Sequence, residues 1–212
     1  MTLHSYYQKR APTYEQAFEG EDHGRQMEIA EITKDLQSAM EGRDVLDVAC
    51  GTGFWTVRAA ETAKSIVAVD AVQETLDVAQ EKTYRCPVDF KIGDAYALES
   101  ITGKFNGGMT TFWFSHVPKS RIHEFLSGLH AALKPGSTVF IAENMYVPGR
   151  GGELITKPGE EDTYKRRTLP DKSVEDVLKN YYSEEELRKI FSPFAHLKIT
   201  MKKCYWWVQY SI

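Results

Sequence analysis

The sequence predicts an α/β fold, a doubly wound and mostly parallel open sheet with helices on both faces. Three observations predict it. Short runs such as V-L-D-V-A (45–49) and I-V-A-V-D (66–70) are apolar almost throughout, as strands buried on both faces are. Segments with helical spacing separate these runs, and parallel neighbours need crossover connections of that kind. The 212 residues suffice for one domain (1–212) with a sizeable core.

The first helix is read over 25–40. There Met27, Ile29, Ala30, Ile32, Leu36, Ala39 and Met40 recur at near-helical spacing, and Gly42 stops the run. A strand follows at 45–49, a helix at 54–63, a strand at 66–70, a helix at 72–85 and a strand at 88–92. The next strand is read over 105–114. The helix after it, 119–133, is halted by Lys134-Pro135-Gly136, and a fifth strand spans 138–143.

Beyond Asn144 the rhythm breaks. Residues 149–152 are a Gly-rich linker, and 162–181 reads as two extended segments around a Pro170-Asp171 turn, so the region 149–182 is predicted to be an inserted β-hairpin. Strand alternation would send Tyr164 and Arg166 to one face of it and Lys165 and Arg167 to the other. Ser183 and Glu186 have capping-box spacing for a helix to Phe191. The runs H-L-K-I-T-M-K and C-Y-W-W-V-Q-Y-S-I would close the sheet as antiparallel strands, their aromatics serving sheet packing or an exposed dimerising edge.

Composition narrows the partners. A net charge of −4 gives no basic field for nucleic acid or anionic lipid. No apolar run reaches membrane-span length, and the N-terminus lacks the apolar core of a signal peptide. Cys50, Cys86 and Cys204 are odd in number and have no zinc-type spacing. The expectation is a soluble cytoplasmic protein, monomeric or homodimeric, with a small-molecule partner, no nucleic acid, no membrane and no metal.

The strand 45–49 runs into A-C-G-T-G, where Gly51 and Gly53 carry no Cβ and a ligand can approach the main chain. Asp70 ends the next strand, and Asp94 sits in G-D-A after the third. Two carboxylates at successive strand ends can hold a ribose diol and an exocyclic amine. A bare G-x-G is shared with dinucleotide dehydrogenases, but their third glycine falls where this chain has Thr56.

Together these pieces resemble the class I S-adenosylmethionine-dependent methyltransferases of the small-molecule type, over nearly the whole chain. The resemblance implies a Rossmann-like sheet and S-adenosylmethionine as cofactor, with S-adenosylhomocysteine as product. It implies that Asp47 and the backbone of Ala49, Gly51 and Gly53 hold the methionine end. Asp70 with Ala71 would hold the ribose and Asp94 with Ala95 the adenine, and Phe112 would also contact the cofactor. Cys50 fits the pattern as a packed small residue. The opening Y-Y-Q-K-R-A-P-T-Y-E resembles the Tyr/Arg/Tyr segment that folds over the cofactor in such enzymes. Residues 1–24 are therefore read as a lid, with Tyr6, Tyr7, Arg10 and Tyr14 spaced so that several of them share one face of a short helix, Tyr14 on the cofactor and Arg10 on the methionine carboxylate.

The fourth strand ends T-T-F-W-F-S-H-V-P, without the Asn- or Asp-Pro-Pro-aromatic motif of DNA amino-methyltransferases and without the Asp that binds metal in catechol-type enzymes. Metal-independent transfer by in-line displacement to a nitrogen or oxygen acceptor is the expectation. Phe112, Trp113 and Phe114 offer either an aromatic wall or core packing. His116 is a candidate base or a loop-ordering residue. Tyr7, Trp113, Asn144 and Arg166 are the acceptor-binding candidates, an arginine of the hairpin meeting an acceptor carboxylate if the hairpin covers the strand ends. Two other functions stand beside this one: a non-catalytic S-adenosylmethionine-binding regulatory module and a nicotinamide-dependent dehydrogenase.

Overall fold

A computed structural model describes residues 3–18, 20, 22–101, 105–168 and 172–212. The chain opens with α1 (Leu3–Arg10) and a 3-10 turn (Ala11–Ala17), followed by α2 (His23–Met40), whose first turn is capped by the Asp22 carboxylate accepting from the Arg25 N–H. The alternation then runs β1 (Asp44–Val48), α3 (Phe54–Ala60), β2 (Ser65–Asp70), α4 (Gln73–Gln80), β3 (Val88–Ile92), β4 (Phe105–Thr111), α5 (Ile122–Ala131) and β5 (Leu133–Asn144). After it come β6 (Leu154–Thr156), β7 (Thr163–Thr168), β8 (Val174–Leu178), α6 (Glu184–Phe191), β9 (Ala195–Met201) and β10 (Tyr205–Ser211).

The main sheet has seven strands in the order β3-β2-β1-β4-β5-β10-β9. Strands β1 to β5 are parallel, while β10 runs antiparallel between β5 and β9. Both faces are covered, as the unbroken apolar strands require. On one face Ile32 and Leu36 of α2, Ala59 of α3 and Leu76 of α4 pack on Val45, Phe140 and Trp207; on the other, Leu129 of α5 and Leu187 of α6 pack on Leu46, Ile141 and Trp206. The C-terminal aromatics thus alternate into both layers, and burying each Phe-sized side chain contributes about 1.5–3 kcal/mol.

Several boundaries differ from the sequence reading, and the helices expected over 54–63 and 72–85 end at Ala60 and Gln80. The strand expected over 105–114 stops at Thr111, because Phe112 takes a left-handed φ of 61° that breaks the ladder and starts a short 3-10 turn, Phe114–His116. The helix expected over 119–133 starts as a 3-10 turn and ends at Ala131; Leu133 already pairs with Phe105 across β4 and β5. The inserted hairpin is a three-stranded antiparallel sheet in the order β6-β7-β8, since the short run at 154–156 joins β7. The proposed Pro170-Asp171 turn lies outside the described residues.

Candidate active site

The carboxyl ends of β1, β2 and β4 meet below the N-terminal segment, and their backbones are unusual. Ala49 after β1 and Phe112 after β4 both adopt positive φ, 58° and 61°, in a region that costs a residue with a Cβ about 1–2 kcal/mol. Both line a cavity of about 310 Å³, together with Gly51, Asp70, Ala71, Asp94, Ala95, Trp113 and His116. The two glycines of G-T-G divide the work. A Cβ on Gly51 would meet nothing within 4 Å, so its bare backbone faces open space. A Cβ on Gly53 would lie 2.6 Å from the Tyr84 hydroxyl and 3.0 Å from Ala79 Cβ, so this glycine lets α3 start close against α4.

Asp70 organises the loops as well as facing the cavity. Its Oδ2 accepts from the Gly51 N–H at 2.8 Å and its Oδ1 from the Val72 N–H at 2.9 Å and the Thr75 hydroxyl at 3.1 Å. Burial raises its pKa, against those donors. Asp94 Oδ1 accepts from the Tyr96 N–H at 2.9 Å. Asp47 is placed differently from its expected role. It is fully buried behind the loop, one oxygen accepting from the Thr56 hydroxyl at 2.7 Å and the other without a partner, and it lines neither cavity. Burial pushes its pKa up to about 7. Thr56, where a dinucleotide fingerprint wants glycine, therefore fills the space between α3 and β1.

A second cavity, about 350 Å³, opens on the far side of Tyr7, Tyr14, Phe112 and His116, which border both. Its floor holds Asn144 and Lys179, and beneath it the buried Glu143 carboxylate lies 2.9 Å from the Lys179 ammonium. Burial alone would raise the Glu143 carboxyl, but the Lys179 ammonium and the Ser115 and Asn144 donors hold it down at about 2. The Asn144 side-chain amide also donates to Glu143, at 2.7 Å.

His116 is locked on both ring nitrogens. Nδ1 lies 2.6 Å from the Leu178 carbonyl, which can only accept, so Nδ1 carries the proton and Nε2 accepts from the Tyr7 hydroxyl at 2.7 Å. Burial and the neighbouring Lys179 ammonium press its pKa down to about 3. The imidazole is neutral at physiological pH and its lone pair is already engaged. That geometry orders the loop and orients Tyr7; it does not present a free base.

The N-terminal segment lies across both cavities. Tyr7 and Tyr14 line both, Tyr6 and Arg10 the larger, and Leu3 and His4 the smaller. It is tied down by Gln8 to Glu74, Thr52 to Glu15 and Lys82 to Glu15, and Phe18 stacks on Phe54. Other placements depart from the reading. Trp113 borders the smaller cavity rather than the acceptor side, and Phe114 is core, with no exposure. Arg166 is turned outward, paired with Asp176 at 2.9 Å and Glu153 at 3.5 Å, because the opposite face of β7 meets the cavity. That face carries Lys165 and Arg167, which line the larger cavity with Arg25, Arg150, Lys179, Tyr181 and Tyr205. Alternation separated the two faces but could not say which one turned inward.

Among the described residues no group of three or more His, Cys, Asp or Glu side chains is placed to hold a metal ion, and no helix is long and apolar enough to cross a membrane. The methyltransferase-domain family matches residues 45–136. A cypemycin N-terminal methyltransferase of Streptomyces sp. is 33% identical over 104 residues, 48% of this chain and 42% of that protein. A demethylmenaquinone methyltransferase of Renibacterium salmoninarum is 30% identical over 135 residues, 63% of this chain and 54% of that protein. The matches span about half the length of these relatives. A DhpI–SAM–HEP complex superposes with a TM-score of 0.76 at 21% identity, covering 98% of this chain and 95% of that one, a likeness of fold.

Proposed function

We propose that this chain, which belongs to the class I S-adenosylmethionine-dependent methyltransferases, moves a methyl group from that cofactor to a small-molecule acceptor. The observation that carries the proposal is the shared wall: the smaller cavity with the cofactor-type residues and the larger, acceptor-sized cavity meet at Tyr7, Tyr14, Phe112 and His116. The residues fit the cofactor. Gly51 leaves the main chain bare, Asp70 and Asp94 present carboxylates at successive strand ends, and Ala71 and Ala95 supply small apolar floor.

When bound, S-adenosylmethionine supplies a methyl group on a sulfonium already activated toward displacement. The chain's part is to bind, orient and exclude water. Asp70 would accept from ribose hydroxyls while its loop bonds hold it still, and Asp94 would accept from the adenine amine. Tyr7 and Tyr14, with the rest of the N-terminal segment as a lid, would keep the junction of the cavities dry and the two reactants aligned. Such alignment is worth about 7–11 kcal/mol of barrier, and no metal is assigned a part in the proposed transfer.

Calorimetry with S-adenosylmethionine and S-adenosylhomocysteine, followed by an acceptor screen that detects release of the latter, tests the reading. Saturable binding of both is expected. Asp70→Asn, which keeps the shape but not the charge, should weaken cofactor binding about tenfold or more. Heats indistinguishable from buffer would end the proposal, and cofactor binding without turnover on a broad acceptor panel would return the chain to a regulatory role.

A further inference from the structure

The larger cavity is far more basic than a chain of net charge −4 would suggest. Six cations line it and no Asp or Glu does. Two of them have carboxylate partners: Arg150 pairs with Asp22 at the mouth, and Lys179 with Glu143 beneath the floor. Lys165 is unlike these. It is 1% exposed, and its ammonium is held 3.1 Å from the Arg150 carbonyl and 2.9 Å from that of Gly152, over the rings of Tyr146 and Tyr181. Among the described residues no carboxylate pairs with it or with Arg167. Burying a charge without a counter-ion costs several kcal/mol, a loss that an anion bound here would offset. Lys165 and Arg167 alternate along β7, so both turn to the same side about 6.6 Å apart.

The proton inventory points the same way. His116 has both nitrogens engaged, and Glu143 is committed to Lys179, Ser115 and Asn144. Burial holds the Tyr7 and Tyr14 phenols protonated. Nothing in this wall takes up a proton at neutral pH. An acceptor hydroxyl would find no base here, whereas an oxyanion, or a neutral amine that sheds its proton to water after the transfer, needs none; of these two the six lining cations favour the anion.

We propose that the acceptor is a small acid whose ionised carboxylate, phosphate or phosphonate group binds Lys165 and Arg167 through one oxygen, while a second oxygen of the group takes the methyl, giving a methyl ester. The inference rests on the methyl-transfer reading above. The step balances without a base. An oxygen lone pair forms the O–C bond, the C–S bond breaks and leaves its electron pair on sulfur, and the oxyanion's negative charge and the sulfonium's positive charge are lost together.

The test titrates the full chain, saturated with S-adenosylhomocysteine, with phenylphosphonate, benzoate and the neutral isostere benzamide. Binding of phenylphosphonate or benzoate, or both, with none of benzamide is expected, and which acid binds identifies the group. Arg167→Gln and Lys165→Met should each weaken that binding about tenfold or more while leaving S-adenosylhomocysteine affinity unchanged. Arg167 is only half-buried, so its variant stays informative if the Lys165 variant does not fold. Benzamide binding as well as the acids, neither acid binding, or acid binding unmoved in Arg167→Gln would overturn the inference. In the acceptor screen, turnover is expected with acids alone, and the product should be cleaved by mild alkali if it is a carboxylate ester or show O-methyl protons coupled to phosphorus if it is a phosphate or phosphonate ester; equal kcat/KM on a neutral amine or phenol would overturn it. Failure of S-adenosylhomocysteine to bind at all is a separate result, against the methyl-transfer reading itself.

Discussion

Single residues in this protein often hold two tasks at once. Asp70 fastens the loop after β1 to the start of α4 and presents its carboxylate to the cofactor-sized cavity. His116 fixes Tyr7 at the junction of both cavities from a neutral, doubly bonded ring. Asp47 shows how burial alters a residue's behaviour. Its pKa is about 7 in the fold against an ordinary 3.8, so between those values the folded state holds a proton that the unfolded chain has lost. That contribution to stability is complete below the lower value and is lost as pH rises through the upper one. Asp47→Asn keeps an acceptor for Thr56 and removes the titration. Relative to the parent, the variant should melt higher at about pH 8 than at about pH 5, and an unchanged difference in Tm across that range would place the titrating group elsewhere.

Elements are placed by local chemistry that the packing then uses. Ser183 accepts from the Glu186 N–H at 3.2 Å and Glu186 returns to the Ser183 N–H at 2.8 Å, the reciprocal cap expected from the spacing. Ser183→Ala should lower stability by about 1 kcal/mol in denaturant titration. The start of α3 is tighter. Gly53 has a φ of 77° and no room for a Cβ beside Tyr84 and Ala79, so Gly53→Ala combines left-handed strain with overpacking. A loss of about 1–3 kcal/mol is expected, larger than that of the cap variant. An equal or smaller loss would mean that α4 gives way easily. The insertion was legible as extended chain but not as three strands, because a strand as short as Leu154–Thr156 has too few residues to show a period.

At the scale of the whole molecule, the seven-stranded sheet makes a rigid base and the N-terminal segment and the small β6-β7-β8 sheet form the walls above it. The connections are specific: Gln8 reaches Glu74 on α4 and Glu15 meets Thr52 and Lys82, tying the segment to the base, while Tyr6 is buried against Val177 of β8 and joins the two walls. Removing residues 1–18 takes Phe18 from the core on one face but leaves the other core members of both helical layers packed on the sheet. Such a truncation should keep its far-ultraviolet circular dichroism yet bind S-adenosylhomocysteine at least about tenfold more weakly, since Tyr7, Tyr14 and the dry junction go with it. Full affinity in the truncated chain would remove the segment from the site.

The sequence by itself determined the alternation of strands and helices, the loop with Gly51 and Gly53, and the carboxylates at the ends of β2 and β3. These are local properties: apolar period, turn chemistry and spacing are written in neighbouring residues. Only the tertiary structure decided that Asp47 is sealed behind its loop, that Phe112 ends β4 early, and that Lys165 and Arg167, rather than Arg166, face the larger cavity. Each of those outcomes depends on what residues distant in the chain place opposite, and a strand's alternation fixes two faces without saying which of them another element will cover.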